Sequence, residues 1–502
     1  MLQPAGVQPN KATQITLPAP IGGWNARDDI SQIPPNQALA LENWFPGEQA
    51  VTTRPGYASF ATITGTAETL ISYNYETDQD LLACHDGEIS DITSGTASSL
   101  ASGFSNNRWF WTNFRGNALM FNGADTPQKY DGSTVSTNTI TGSGLTAANL
   151  KYPWVFKSRL FIAEKDSAKF WYLPTNNIAG DASELDFSSF AEGKAIAGAT
   201  WTRDGGSGMD DYCVFLMSEG DLLVYQGDNP GSAADWALVG KYRIGKPMGD
   251  RPFAKLGGDL LVITVDGVVP MSAVLTSDRF NPQAAVTDII SGAWKTSAKR
   301  YKDTIGWEVA LYPLGQMGIV NVPNGSGSFV QYVVNTTTRA WSCFKNIPAN
   351  TWGLHKDEMY IGSTGAVYKF DSGTSNAGSP ITAIYGGPFL NHQPMGSNKA
   401  YKLMRPLLSS AGAIPVYIGF DTDYTTKTSY YEPTQIESGG GGIWDEAEWD
   451  VAEWAGAQAP QQEWRTILGV GVSGAARFKT ITSLNQVSFH GVDLKYVAGN
   501  GL

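Results

Sequence analysis

Apolar residues in this chain come in short runs of three or four, each opened by a polar or acidic residue and closed by a turn. The pattern reads DLLACHDGEI from Asp80, NALMFNG from Asn117, RLFIAE from Arg159, DLLVYQG from Asp221, DLLVITVDGVV from Asp259 and EMYIGSTGAVYKF from Glu358. A further candidate, WEVALYPLGQMGIV from Trp307, falls inside the widest gap. The runs are too short for helices and are bounded by Gly, Asn and Asp, so they predict strands. They return every ~46 residues, the length of a four-stranded propeller blade. Residues 59–390 are therefore read as a β-propeller of six to eight blades, with 176–208 and 272–300 as inter-strand loops. Unrelated hairpins in sandwiches would share the same turn spacing, and the regular interval favours the propeller.

The flanks follow other patterns. Residues 1–22 are polar and carry Pro4, Pro9, Pro18 and Pro20, which predicts an extended arm. In PPNQALALENWF, Ala38, Leu41, Trp44 and Phe45 fall near helical spacing after two prolines, predicting a short helix over about 35–43. Pro46-Gly47 ends it, and Pro55-Gly56 repeats the chemistry. Proline at i+1 and glycine at i+2 predict a type II turn at each, with Arg54 held extended before Pro55. Between the turns lies a strand over 48–54, expected to complete either the last blade or the C-terminal domain. The strand YASFATIT then starts the array. Beyond GGPFLNHQPMGSN the composition shifts, and Phe478, Thr480, Thr482 and Val492, Leu494, Tyr496 alternate with period two. The chain is thus divided into 1–58 (arm, short helix and first strand), 59–390 (propeller) and 391–502 (a smaller antiparallel β domain).

Composition fits an all-β protein. Charged residues make up 16%, against about 25% in ordinary globular chains, while Gly numbers 56 and aromatics reach 12%. The net charge of −12 argues against a tight grip on nucleic acid, although an acidic wall suits DNA that slides past without being held. Three cysteines, Cys84, Cys213 and Cys343, make no disulfide framework and are expected as buried thiols. Four scattered histidines match no metal spacing, so no cofactor or metal is expected. The N-terminus lacks the charged and apolar regions of a secretory signal, and no apolar run is long enough to span a membrane.

Few motifs suggest chemistry. GVGVSG at 469–474 fits a dinucleotide fingerprint, but a strand-like AARFKTITS follows where a helix is required. TRDGGSG at 202–208 is faintly similar to the Asp-box turns of sialidase propellers, but it occurs once and lacks the following aromatic. No catalytic residue is assigned and the chain is expected not to be an enzyme. The most unusual segment is IWDEAEWDVAEW at 443–454, where Trp444, Trp449 and Trp454 alternate with Asp445, Glu446, Glu448, Asp450 and Glu453. A five-residue step gives one aromatic stripe neither on a helix nor on a strand. These tryptophans are expected either to tuck onto the adjacent β domain or, with Trp24 and Trp44, to form a subunit interface.

The opening region, GGWNARDDISQIPPNQALALENWFPGEQAVTTRPGY, resembles the N-terminus of bacteriophage tail nozzle or tail tubular proteins of short-tailed phages, including proteins described as stabilising packaged DNA. The matching residues are Gly22, Gly23, Asn25, Leu41, Asn43, Arg54 and Gly56, and the acidic tryptophan segment is similar as well. The resemblance implies a structural virion protein, assembled in the bacterial cytoplasm, that forms a homohexameric ring below the portal and its adaptor. Such a ring continues and gates the DNA ejection channel, DNA passes through without specific binding, and tail fibres or spikes attach nearby. The alternative is a receptor- or glycan-binding propeller adhesin, because surface aromatics stack on sugars.

Overall fold

The computed structural model describes residues 12–204, 209–274, 282–325, 327–427, 429–436 and 463–499. They form two compact units, and the chain passes between these more than once. One unit comprises Ser59–Gln331 and Asn346–Asp371; the other comprises Met1–Ala58, Tyr332–Lys345 and Ser372–Leu502. The expected boundary near 390 thus lies closer to 371, and the N-terminal segment folds with the C-terminal one rather than separately.

The larger unit is a β-propeller. Among the described residues, seven groups of antiparallel strands, each called a sheet below, succeed one another along the chain, with first strands at 67–75, Phe110–Phe114, Leu150–Phe156, Ala195–Asp204, Phe253–Leu256, Glu308–Tyr312 and Thr351–His355; the first and seventh are hydrogen-bonded into one seven-stranded sheet. The recurring apolar run falls on the second strand of five sheets: Asp78–His85, Asn117–Phe121, Arg159–Glu164, Asp259–Thr264 and Glu358–Gly362. In the fourth sheet it is the third strand, Asp221–Gly227. These strands are buried over nearly their whole length because neighbouring sheets cover both faces, which is why they read as continuous apolar runs instead of alternating.

The ring closes through one long strand, Tyr57–Tyr75. Its first part pairs with Thr364–Phe370 as the outer strand of the seventh sheet, and residues 67–75 form the inner strand of the first. The change of partner occurs around Gly65, which has φ +61°, and a bulge between Ala67 and Thr69. The loop expected over 272–300 contains a helix, Ser291–Tyr301, whose Trp294 is buried against Trp307.

The smaller unit is a sandwich. One sheet runs Trp44–Pro46, Val51–Thr53, Val487–Ala498, Lys399–Ser410, Arg465–Gly471, with Thr13–Pro18 also on Val487–Ala498. The second contains Trp341–Phe344, Ala40–Glu42, Ile381–Gly386, Gly474–Thr482, Ile414–Thr422 and Thr434–Ile436. Leu17, Leu41, Trp44, Val51, Tyr385, Met404, Ile418, Phe478 and Phe489 share one core between them. The extended arm is therefore partly a sheet strand.

The short helix over 35–43 does not form. Ala40–Glu42 is a strand claimed on one side by Ile381–Gly386 and on the other by Cys343, and Asn43 then turns left-handed at φ 57°. Long-range pairing overrides a short helical period, and asparagine tolerates the left-handed region. The strand expected over 48–54 is Val51–Thr53; it pairs with Trp44–Pro46 and with Val487–Ala498, so it completes the sandwich.

Candidate functional site

Two of the residues singled out near the N-terminus, Asn43 and Pro55, meet at Arg54. Its side chain is 1% exposed. Nε donates to Asn43 Oδ1 at 2.9 Å, Nη1 to the Pro55 carbonyl at 2.9 Å, and Nη2 to Asn376 Oδ1 at 2.7 Å and the Lys345 carbonyl at 3.2 Å. Asn43 Oδ1 also accepts from the Lys345 amide at 2.8 Å, while its Nδ2 donates to the Thr382 carbonyl at 2.8 Å. The planar guanidinium fork suits several fixed acceptors at once, which a single ammonium cannot match. Burial lowers the Arg54 pKa to about 10. Arg54 was expected as an extended turn residue before proline and as one of the residues carrying the resemblance; it is the centre of a buried polar junction.

Two other expectations change. Neither Gly47 nor Gly56 has a positive φ, so the Pro46-Gly47 and Pro55-Gly56 pairs are not type II turns. Gly47 instead opens the hairpin loop, its amide donating to the Ala50 carbonyl at 2.9 Å. Gly56 is required by proximity: a Cβ there would lie 2.2 Å from the Ser375 carbonyl oxygen and 2.5 Å from the Ser375 amide nitrogen. Gly23 combines both demands, with φ +79° and the Trp341 backbone 2.6 Å from where a Cβ would sit. Asn25 accepts the Arg27 and Asp28 amides on Oδ1, each at 3.0 Å, and fixes the turn that follows it.

Of the candidate interface tryptophans, Trp44 is excluded. It is fully buried, with its ring 5.9 Å from Phe478 and 5.8 Å from Phe489. Its near-helical spacing was a strand residue facing the sandwich core. Trp24 is half-buried and packs edge-on against Tyr332 at 5.3 Å. Trp444, Trp449 and Trp454 lie outside the described residues.

A second constellation, not anticipated from the sequence, sits where the propeller's first strands converge. Arg251 Nη1 donates to Glu308 Oε2 at 2.9 Å and Thr351 Oγ1 at 2.8 Å. Its Nη2 reaches Thr69 Oγ1 at 2.7 Å and the Trp109 carbonyl at 3.1 Å. Beside it Arg108 Nε lies 2.8 Å from both oxygens of Asp250, with Lys151 Nζ 3.6 Å from the same carboxylate. Burial would raise the Asp250 carboxyl, but Arg108 first, then Lys151 and Arg251, outweigh it and hold it well below the usual range. Lys151 is lowered, chiefly by burial. Three cations and two carboxylates thus tie six of the seven sheets together. The signal in the sequence was the repeated Arg-x-Phe of Arg108-Trp109-Phe110 and Arg251-Pro252-Phe253, each leading into a first strand.

A cavity of about 440 Å³ adjoins this network, lined by Ser72, Trp111, Tyr152, Phe253, Glu308 and Trp352 among others. Nearer the start of the first strands, a second of about 500 Å³ carries Arg108, Lys151, Lys165 and Asp250. Among the described residues no group of three or more His, Cys, Asp or Glu is arranged to hold a metal ion. The three cysteines are free and buried, and burial raises each thiol pKa. No helix among the described residues is long and apolar enough to cross a membrane.

No known protein family and no curated protein matches the chain. Solved structures do. YCF48 bound to a D1 peptide is similar at 12% identity and TM-score 0.39, covering 68% of this chain and 99% of that one. BamB from Moraxella catarrhalis is similar at 11% identity and TM-score 0.31, over 65% and 92%. The computationally designed Ika8 protein is similar at 10% identity and TM-score 0.36, over 66% and 96%.

Proposed function

We propose that this chain is a structural protein of a bacteriophage tail, a subunit of the nozzle ring below the portal and adaptor that continues and gates the DNA ejection channel. The observation that supports this reading is the placement of the residues carrying the resemblance. Gly23 and Gly56 permit backbone contacts that no side chain would allow, Asn25, Asn43 and Arg54 bond main-chain groups, and Leu41 fills the sandwich core. Such residues mark a shared architecture and not a shared reaction, so the role is non-catalytic and needs no cofactor. DNA would pass through the lumen of a ring of subunits. The axis of a single propeller is closed by the Arg251 network, and its cavities are far too small for a duplex whose major groove alone is about 12 Å wide. The net charge of −12 suits a wall that DNA slides past without specific binding. In this reading tail fibres or spikes attach to the ring, and the chain resides in the virion tail after assembly in the bacterial cytoplasm.

Native mass measurement of the purified protein, alone and with its portal complex, tests the reading. A closed ring near six times the 53.9 kDa chain mass is expected. A species that stays monomeric at every concentration and with the portal complex present contradicts it.

One observation favours a receptor- or glycan-binding adhesin as a second reading: the half-buried Trp111, Tyr152 and Phe253 bring aromatic faces to a polar cavity. A glycan array with wild type and Trp111→Ala separates the two. Sugar binding that is lost in the variant supports the adhesin, and no binding removes its motive.

A further inference from the structure

In the first sheet of the sandwich, Arg465–Gly471 is the outermost strand among the described residues, paired only with Lys399–Ser410. Ile467 points into the core, whereas Leu468 and Val470 are 66% and 68% exposed. Positions 466–471 carry no charge and no proline, and the Leu468 amide donates to Tyr431 Oη at 3.0 Å. The adjoining surface is basic and aromatic. The Trp464 ring holds the Arg405 guanidinium at 4.5 Å and the Lys495 ammonium at 4.2 Å from its centroid. Lys402 is exposed at the bulge of the neighbouring strand. Two carboxylates of the described residues adjoin this surface: the exposed Glu463 next to Trp464, and Asp493, which accepts from Arg405 Nε at 2.7 Å and Thr16 Oγ1 at 2.6 Å.

The chain itself carries the complementary chemistry. Residues 443–454, IWDEAEWDVAEW, hold five carboxylates, three tryptophans and no base. Only residues 455–463 separate Trp454 from Trp464. We propose that the basic, apolar face around Trp464, Leu468 and Val470 is the docking surface for the acidic segment 443–454 of the same chain. Lys402, Arg405 and Lys495 offer the surface's cations, and Leu468 and Val470 its apolar area. So short a tether gives an effective concentration in the millimolar range, enough for contacts that would be weak between separate molecules. Charge complementarity sets the site, and burial of exposed tryptophan and aliphatic surface supplies the attraction.

The test is limited digestion of the full-length protein with a glutamate-specific protease, which cuts within the segment. Wild type is expected to be cut slowly at low salt and faster at high salt, because exposed charge pairs are screened. Leu468→Asp with Val470→Asp should accelerate cleavage about tenfold, since proteolysis follows the population of the open form. Lys402→Glu with Lys495→Glu should act likewise. Unchanged melting temperatures of these variants separate lost docking from lost folding; the aliphatic pair, being exposed, carries the result if the charge pair unfolds. Equal cleavage rates in wild type and the folded variants overturn the proposal. Protection that appears only as protein concentration rises also overturns it, because the segment would then be covered by a second copy.

Discussion

Arg54 satisfies four oxygen acceptors from four different stretches of the chain, with no carboxylate in salt-bridge contact among the described residues. Replacing it with alanine removes the guanidinium from Asn43, Asn376 and the Lys345 carbonyl in a buried site, and Asn43 Oδ1 keeps only the Lys345 amide. The expected cost is ~3 kcal/mol or more, seen as a lower melting temperature by calorimetry. Arg54→Lys should recover little of this, because an ammonium cannot reproduce the fork. An unchanged melting temperature in Arg54→Ala would show that the junction is dispensable. His392 makes a pH-dependent contribution. Burial, then the nearby Lys399, lowers its pKa to about 4, and its ring stacks on Tyr496. The folded state therefore resists protonation while the unfolded state takes a proton near 6.5, so stability falls as pH drops from 6.5 toward 4. The loss reaches at most ~3 kcal/mol. His392→Gln should flatten that part of the stability–pH curve; an identical curve contradicts the assignment. Neither role was legible in the sequence, since both depend on partners hundreds of residues away or on burial that local patterns do not encode.

Among the elements, the buried strands that carry the repeated run, second in five sheets and third in the fourth, were the most legible. Their burial on both faces turns a weak alternating signal into a short apolar run that recurs once per sheet. The junction at 35–57 was the least legible. Three-residue strands such as Ala40–Glu42 and Trp44–Pro46 have no period of their own, and their partners come from residues 343 and 384–386 or from the other arm of a hairpin. The prolines and glycines were correctly read as breaks, but their glycines answer to close packing instead of to φ. Gly56→Val should cost ~2 kcal/mol or more because Ser375 must move away from the new Cβ. Purified variant protein with wild-type urea stability would remove that explanation. The closing strand offers a parallel test. Ile63, 7% exposed, packs with Leu70, Leu81, Tyr360 and Val367, where the first and seventh sheets share one core. Ile63→Ala should cost ~2–3 kcal/mol. Hydrogen exchange should rise first in 59–66 and 364–370, and uniform exchange across all seven sheets would mean the closure is not a weak point.

At the scale of the whole molecule, both ends of the chain build one unit and its middle builds the other. The sequence pattern showed a propeller followed by a β domain, yet it hid the fact that the N-terminal segment supplies strands to that same domain. The residues on which the proposed likeness to tail nozzle proteins rests lie in this second unit. The Arg251 network, by contrast, ties first strands of the propeller to one another, so in the proposed reading DNA would pass through a ring of subunits and not through one propeller. The most direct test of the nozzle reading is a cryo-electron microscopy reconstruction of the portal vertex in phage particles that contain this chain. The account predicts a ring of copies immediately below the portal and adaptor, surrounding a continuous channel, into whose density the propeller and the sandwich each fit. A vertex without such a ring, or density for the chain only at the tips of fibres, would contradict it.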